Sequence, residues 1–240
     1  MKKVLSLILI ASIAINTSAQ QLYNDANAQP RTLNGSFHAI KVSNAIDVYL
    51  SQGNEEGIAV SAVSDEVRNK IKTVVENGVL KIYFESEGNW WKQSGNKRMR
   101  AYVSFKQLDK ITASGASDVV VNGAFKANEL ELHFSGASDF KGSITANELS
   151  VDINGASDIT LGSGKVTSLK IVASGASDFK GYDLEADNCS VSASGASSIK
   201  VTVNNELNAS ASGASDIHYK GNGKIRDLKS SGASSVSRKG

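Results

Sequence analysis

A chain of 240 residues with 26 Lys and Arg against 24 Asp and Glu is nearly neutral, and Lys2 and Lys3 carry its whole formal excess of +2. Without a positive field beyond residue 20, nucleic acid is not an expected partner. The single cysteine, Cys189, excludes an intrachain disulfide, while the length suffices for one or two domains with a buried core.

The first residues read as a targeting segment. Lys2 and Lys3 form a basic start, Val4 to Ile15 is apolar, and Thr17-Ser18-Ala19 offers the small residues of a cleavage site. Residues 1–19 are therefore predicted to be a signal peptide, with Gln20 beginning the mature chain. The apolar run is too short to anchor in a bilayer, and no later run reaches that length. No cysteine directly follows it to carry a lipid. The expected protein is exported without a transmembrane anchor, to the periplasm, the outer membrane or the cell surface. Residues 20–32 are read as a flexible mature N-terminus.

Residues 33–110 read as a β-rich region that caps the more regular chain beyond residue 110. Strands are predicted over 37–42, 46–50, 71–76, 79–84 and 99–105. Asn77-Gly78 separates two of these as a hairpin turn, because both residues tolerate positive φ. Ser64 is placed to cap a helical turn reaching Asn69. Asn44-Ala45-Ile46-Asp47-Val48 looks like a degraded copy of the motif that recurs later, which allows the repeat array to start before residue 110.

The loop 87–100 holds both tryptophans, Trp90 and Trp91, beside Lys92, Lys97, Arg98 and Arg100. Trp90, Trp91, Lys92 and Arg98 are the candidate binding residues. Aromatic faces beside cations suit a sugar ring, a lipid interface or a protein partner. The competing expectation is that one Trp packs on the sheet while the charges solvate the loop, since adjacent strand residues face opposite ways.

Residues 111–240 contain seven copies of Gly-Ala-Ser-(Asp/Ser), beginning at Gly115, Gly136, Gly155, Gly175, Gly195, Gly213 and Gly232, with spacings of 21, 19, 20, 20, 18 and 19 residues. Before each Gly, apolar residues alternate, as in Leu130, Leu132 and Phe134 or Leu149, Val151 and Ile153. An apolar residue also follows each motif, from Val119 and Phe140 to Val236. This period of two makes strands with one inward face. No repeat of that size buries its apolar face alone, so neighbours must stack. The predicted fold is all-β, a right-handed parallel β-helix or β-solenoid with coils of about twenty residues. A propeller blade needs about twice the period.

The motif also sets the chemical question. Asp118, Asp139, Asp158, Asp178 and Asp216 would form a ladder, interrupted by Ser198 and Ser235. Carboxylates one strand spacing apart repel by about 1 kcal/mol in water and roughly 3–4 kcal/mol at an effective dielectric near 20. Calcium would relieve this. So would Lys141 and Lys180, two residues beyond Asp139 and Asp178, or Asp side chains that accept backbone N–H groups at the turn. The turn reading is preferred, and no metal or other cofactor is expected. Cys189 stands where other repeats carry Leu and is read as a core residue rather than a nucleophile. His38, His133 and His218 lack metal-ligand spacing. No nucleophile elbow or P-loop is present, so a non-catalytic protein is expected.

The run 44–50, the hairpin 76–82 and the Ser-Gly-Ala-Ser-Asp repeats together resemble the auto-transporter adhesin, head GIN domain family, over about residues 35–235. The resemblance implies an exported β-helical protein of a Gram-negative bacterium with an adhesin-like role and no catalytic residues. A glycan or an envelope or surface protein is then the expected partner. From Gly232 the sequence has nine residues, too few for the membrane barrel of a self-transporting protein. Two alternatives stay open: a periplasmic glycan-binding or glycan-processing module using Trp90 and Trp91, and a calcium-stabilised structural solenoid.

Overall fold

A computed structural model describes residues 25–85 and 98–239. The predicted signal segment 1–19 and the loop residues Trp90, Trp91 and Lys92 lie outside the described residues. Strand accounts for 65% of the described residues and helix for 2%, and the strands wind into a β-solenoid of about six turns.

Two faces organise the pairing. The first runs from β1 (Gln29–Arg31) through β4 (Gly57–Ser61), β7 (Met99–Phe105) and β3 (Ile46–Gln52) to the opening half of β9 (Val119–Phe134). It continues through the start of β10 (Phe140–Ile153), β11 (Asp158–Leu161), and the starts of β13 (Asp178–Ala193) and β14 (Ser198–Ala211), then β15 (Asp216–Lys220) and β17 (Ser235–Arg238). The second face stacks β5 (Ile71–Glu76), β6 (Val79–Phe84), β2 (Ala39–Val42) and β8 (Lys110–Ala113) on the closing half of β9. Beyond it lie the closing half of β10, β12 (Gly164–Ala173), the ends of β13 and β14, and β16 (Lys224–Ser230).

Pairing is antiparallel only at the N-terminal end, in β1–β4, β4–β7 and β5–β6. Every other pair is parallel, as a solenoid requires. The side-chain period of two then sends alternate residues inward, and identical positions of successive coils line up. One inward column reads Val48, Val119, Phe140, Ile159, Phe179, Ile199 and Ile217, each at most 1% exposed. Another reads Leu130, Leu149, Leu169, Cys189 and Leu207. Phe105 and Phe125 meet edge-on at 5.0 Å, as do Phe134 and Phe140 at 5.6 Å, which packs the wider coils.

The N-terminal third departs from its sequence reading in one respect. Residues 25–32 are not a loose tail: β1 pairs with β4, Tyr102 donates to the Asp25 carboxylate at 2.6 Å, and the buried Arg68 donates to Asn27 O at 3.3 Å. Polar residues in so short a segment give no strand period, so this tether had no sequence signal. Residue 110 is no break in the sheet, as the motif-like run 44–48 allowed, because β8 pairs with both β2 and β9, and β3 pairs with β9. The change at 110 is one of sequence regularity. The hairpin lies at Asn77 and Gly78, with φ of +51° and +74°. Helix α1 (Asp65–Asn69) is capped by Ser64, whose Oγ accepts from Val67 N at 3.3 Å.

The corner glycines set how closely coils stack. Gly136, Gly155, Gly175, Gly195, Gly213 and Gly232 all have φ between +75° and +80°. A Cβ on Gly175 would lie 2.5 Å from Gly155 O. In the same corners each Ala N–H reaches the Gly carbonyl one coil below, as Ala176 N does to Gly155 O at 2.8 Å. Gly175→Ala is therefore predicted to cost about 2–4 kcal/mol, combining the left-handed penalty with a backbone clash. Gly123, with φ of +80° but open space around it, should lose only about 1 kcal/mol on replacement by Ala. Urea unfolding of the two variants measures the difference.

Candidate functional site: repeat corners and the outer face

The Ser of each motif is used inside the corner. Ser117, Ser138, Ser157, Ser177 and Ser215 are 0% exposed. Toward the N-terminus their oxygens accept from the coil before: Ser117 Oγ from Ile46 N at 3.2 Å, Ser138 Oγ from Ser117 N at 3.1 Å, and Ser157 Oγ from Ser138 N at 3.1 Å. Toward the C-terminus the hydroxyls turn round and donate. Ser177, Ser197 and Ser215 donate to Ser174 O, Ser194 O and Ser212 O at 2.7, 2.9 and 2.8 Å, and each also lies near a carbonyl of the preceding coil. One residue type serves both arrangements because a hydroxyl both donates and accepts.

The fourth motif position follows the same division. Asp118 Oδ1 accepts from Asp139 N at 3.3 Å and Asp139 Oδ1 from Asp158 N at 3.0 Å, so a carboxylate stands in for a backbone acceptor. In later corners that amide bonds to a carbonyl instead: Asp178 N to Ser157 O at 3.3 Å, and Ser198 N, Asp216 N and Ser235 N to Ser177, Ser197 and Ser215 O at 3.0 Å. Where a carbonyl satisfies the amide, the position carries Asp at 178 and 216 and Ser at 198 and 235. Lys180 lies 2.8 Å from Asp158 and 3.6 Å from Asp178, whereas Lys141 forms no ion pair among the described residues. Among the described residues no group of three or more His, Cys, Asp or Glu is arranged to hold a metal ion.

Asp47 extends the ladder by one rung. Asn44 and Ala45 take the left-handed conformation, with φ of +68° and +59°, and sit beneath Gly115. Burial raises the Asp47 carboxyl above its usual range, and the charge of Asp118 adds to the rise. Burial likewise raises Asp118, with the charge of Asp139 adding and its accepted N–H opposing.

The other singled-out residues are dispersed. Arg98 is exposed with φ of +39°, and its neighbours Trp90, Trp91 and Lys92 are not described. Cys189 is 3% exposed between Leu169 and Leu207, and burial pushes its thiol up to about 12, which removes it as a nucleophile at neutral pH. His218 Nδ1 lies 2.8 Å from Ser237 Oγ, and His133 lies 3.2 Å from Glu131 and 3.9 Å from Asp152.

One concavity gathers polar groups that the sequence did not connect. A cavity of about 480 Å³ is lined by His38, Asp109, Lys126, Asn128 and Glu129, among others. Gln52 fixes its wall by bonding Lys126 in both directions, at 2.8 and 2.9 Å, and Lys106 O at 3.1 Å. His38 Nδ1 lies 2.9 Å from the Asp109 carboxylate. Beside it runs an outward ladder in which Lys110 meets Glu131 at 2.8 Å. Lys110, then His133, hold the Glu131 carboxyl below its usual range. His38 and Asp109 are 71 positions apart, and only the stacking of β2 on β8 brings them together.

These elements recur in known proteins. A family model described as putative auto-transporter adhesin, head GIN domain, matches residues 36–223. A putative adhesin from Bacteroides fragilis shares the fold with a TM-score of 0.80 at 18% identity, over 88% of this chain and 95% of that one. A putative lipid binding protein from Parabacteroides distasonis gives 0.67 at 20% identity, over 90% and 98%. A putative adhesin from Parabacteroides merdae gives 0.64 at 18% identity, over 90% and 98%. Among curated proteins, none matches the sequence. With its corner motif, its stacked parallel coils and a match over most of its length, the chain belongs to the putative auto-transporter adhesin, head GIN domain family.

Proposed function

We infer that this protein is an exported, non-catalytic, adhesin-like binding module that holds a glycan or a surface protein on the outside of a rigid solenoid. The observation that carries the reading is that the motif's Ser hydroxyls are buried in corner hydrogen bonds, which leaves recognition to outward side chains. Family membership supports the adhesin-like role, and residues 1–19 support export. Among the described residues no helix is long and apolar enough to cross a membrane.

The cavity at His38, Asp109, Lys126 and Glu129 is the proposed contact point, because it pairs a hollow with converging donors and acceptors. Glycan and matrix-protein arrays test this. Wild-type protein should bind at least one class, and Lys126→Ala with Glu129→Gln should weaken that binding about tenfold or more without lowering Tm. No binding across the arrays would end the adhesin reading. Loss of binding in Trp90→Ala/Trp91→Ala alone would move the site to the tryptophan loop and favour the glycan-module reading.

The Asp ladder is proposed as scaffold rather than calcium site, and its charges leave a pH signature. Asp47 and Asp118 have folded-state pKa values above their unfolded ones. The folded state thus binds their protons more tightly, and their effect on stability grows more favourable as pH falls through the raised values. At neutral pH both charges oppose folding. Asp118→Asn keeps an oxygen acceptor for Asp139 N and removes one charge, so Tm at pH 7 should rise by about 2 °C. That gain should shrink toward pH 4, and chelator should leave Tm unchanged. A chelator-induced fall in Tm would restore the calcium reading.

A further inference from the structure

The C-terminal end of the solenoid differs from every coil before it. All seven residues of β16 are exposed. Ile225 and Leu228, its inward residues, are 42% and 45% exposed, whereas Leu207 and Ala209 beneath them are 0% and 4% exposed. The outer edge of β16 has no strand partner among the described residues, so a row of backbone donors and acceptors accompanies the apolar pair. The N-terminal end is closed by comparison: Ile71 of the outermost β5 is 2% exposed.

We propose that β16 pairs antiparallel with β16 of a second copy of this chain, joining two solenoids at their C-terminal ends about a two-fold axis. The register follows from an irregularity in β16. Leu207 pairs with Ile225, Asn208 with Asp227 and Ala209 with Leu228, so Arg226 and Asp227 both occupy the stretch between two inward residues. Their side chains are 70% and 57% exposed, with Arg226 3.0 Å from Glu206 of the coil below and Asp227 3.2 Å from Lys229, so the partner's charges would add to these pairs. An axis through the Arg226–Asp227 peptide sets Ile225 against Leu228 of the partner subunit, and Leu228 against Ile225 of the partner subunit. Two apolar columns then run unbroken from one copy into the other. The same axis sets Arg226 against the partner's Asp227, twice by symmetry.

A shift by one residue would lose both the apolar match and the charge match, which fixes the register. Head-to-tail stacking offers neither, since it would set the exposed Ile225 and Leu228 on an end whose apolar residues are covered. Arg238 and Lys239 stand on or beside β17 and discourage other strands from adding there. Lys224 faces the partner's Lys229 at each margin, so the pairing is expected to be reversible. Two copies so joined would present two outer faces to a surface.

Sedimentation equilibrium of the purified chain tests the pairing. Wild-type protein should show a concentration-dependent monomer–dimer equilibrium. Leu228→Lys should be monomeric, with the Tm that wild-type protein shows when diluted to monomer. Arg226→Asp should dissociate roughly tenfold more readily, because it opposes like charges twice, and the double exchange Arg226→Asp/Asp227→Arg should recover most of that loss, stopping short of wild type because the carboxylate at 226 then lies against Glu206. A wild-type chain that stays monomeric would overturn the proposal. So would a dimer indifferent to Leu228→Lys, or a double exchange that fails to rescue.

Discussion

The space left by a missing side chain governs the stacking of this molecule. At each corner from Gly136 onward the Gly backbone approaches the Gly of the coil below so closely that a Cβ would lie 2.5–2.8 Å from its carbonyl oxygen. The same glycines hold φ near +75° to +80°, which other residues adopt only at a cost. Both demands fall on one atom position, repeated coil after coil. The neighbouring Ala can then donate its N–H to the Gly below at 2.7–2.8 Å, and the flanking strands keep parallel register over both faces.

That close approach decides what the rest of the motif can do. A tight corner turns backbone groups toward the interior, where an unpaired donor or acceptor costs about 1–3 kcal/mol. Ser answers this in two ways, accepting in the early coils and donating in the later ones. Asp answers it only where the backbone leaves an amide over, at Asp118 and Asp139. Asp158 and Asp178 instead meet Lys180, at 2.8 and 3.6 Å, and Asp216 meets the Ser235 hydroxyl. Electrostatics follows as a consequence, strongest at the partly buried Asp47 and Asp118.

Much of this architecture was legible in the sequence because stacking imposes a period. Spacings of 18–21 residues, an apolar period of two and Gly at one fixed position all follow from it. Asn77-Gly78 and Ser64 were legible for a local reason, as a hairpin turn and a cap. What escaped was produced by contacts without period. Gln29–Arg31 is three residues long, and its place depends on β4 and on Asp25 reaching Tyr102. Gly57–Ser61 carries an apolar stretch too short to tell strand from loop. The cavity at His38 and Asp109 joins residues from separate coils, and no spacing in the chain announces it. The exposed β16 end shows the converse: its Ile225 and Leu228 keep the inward pattern but find no coil above them among the described residues.

A scaffold that satisfies its own repeated polar groups offers its outer faces for binding at little cost in order, since the side chains there are already held in register. Everything outward then depends on the motif's serines holding the corners together. Urea unfolding of Ser177→Ala and Ser197→Ala beside the outward Ser192→Ala tests this most directly. Losses of about 1–2 kcal/mol are expected for each corner variant, with a change within about 0.5 kcal/mol for Ser192→Ala. Corner variants as stable as wild type, with partner binding lost instead, would contradict a structural role for the serines.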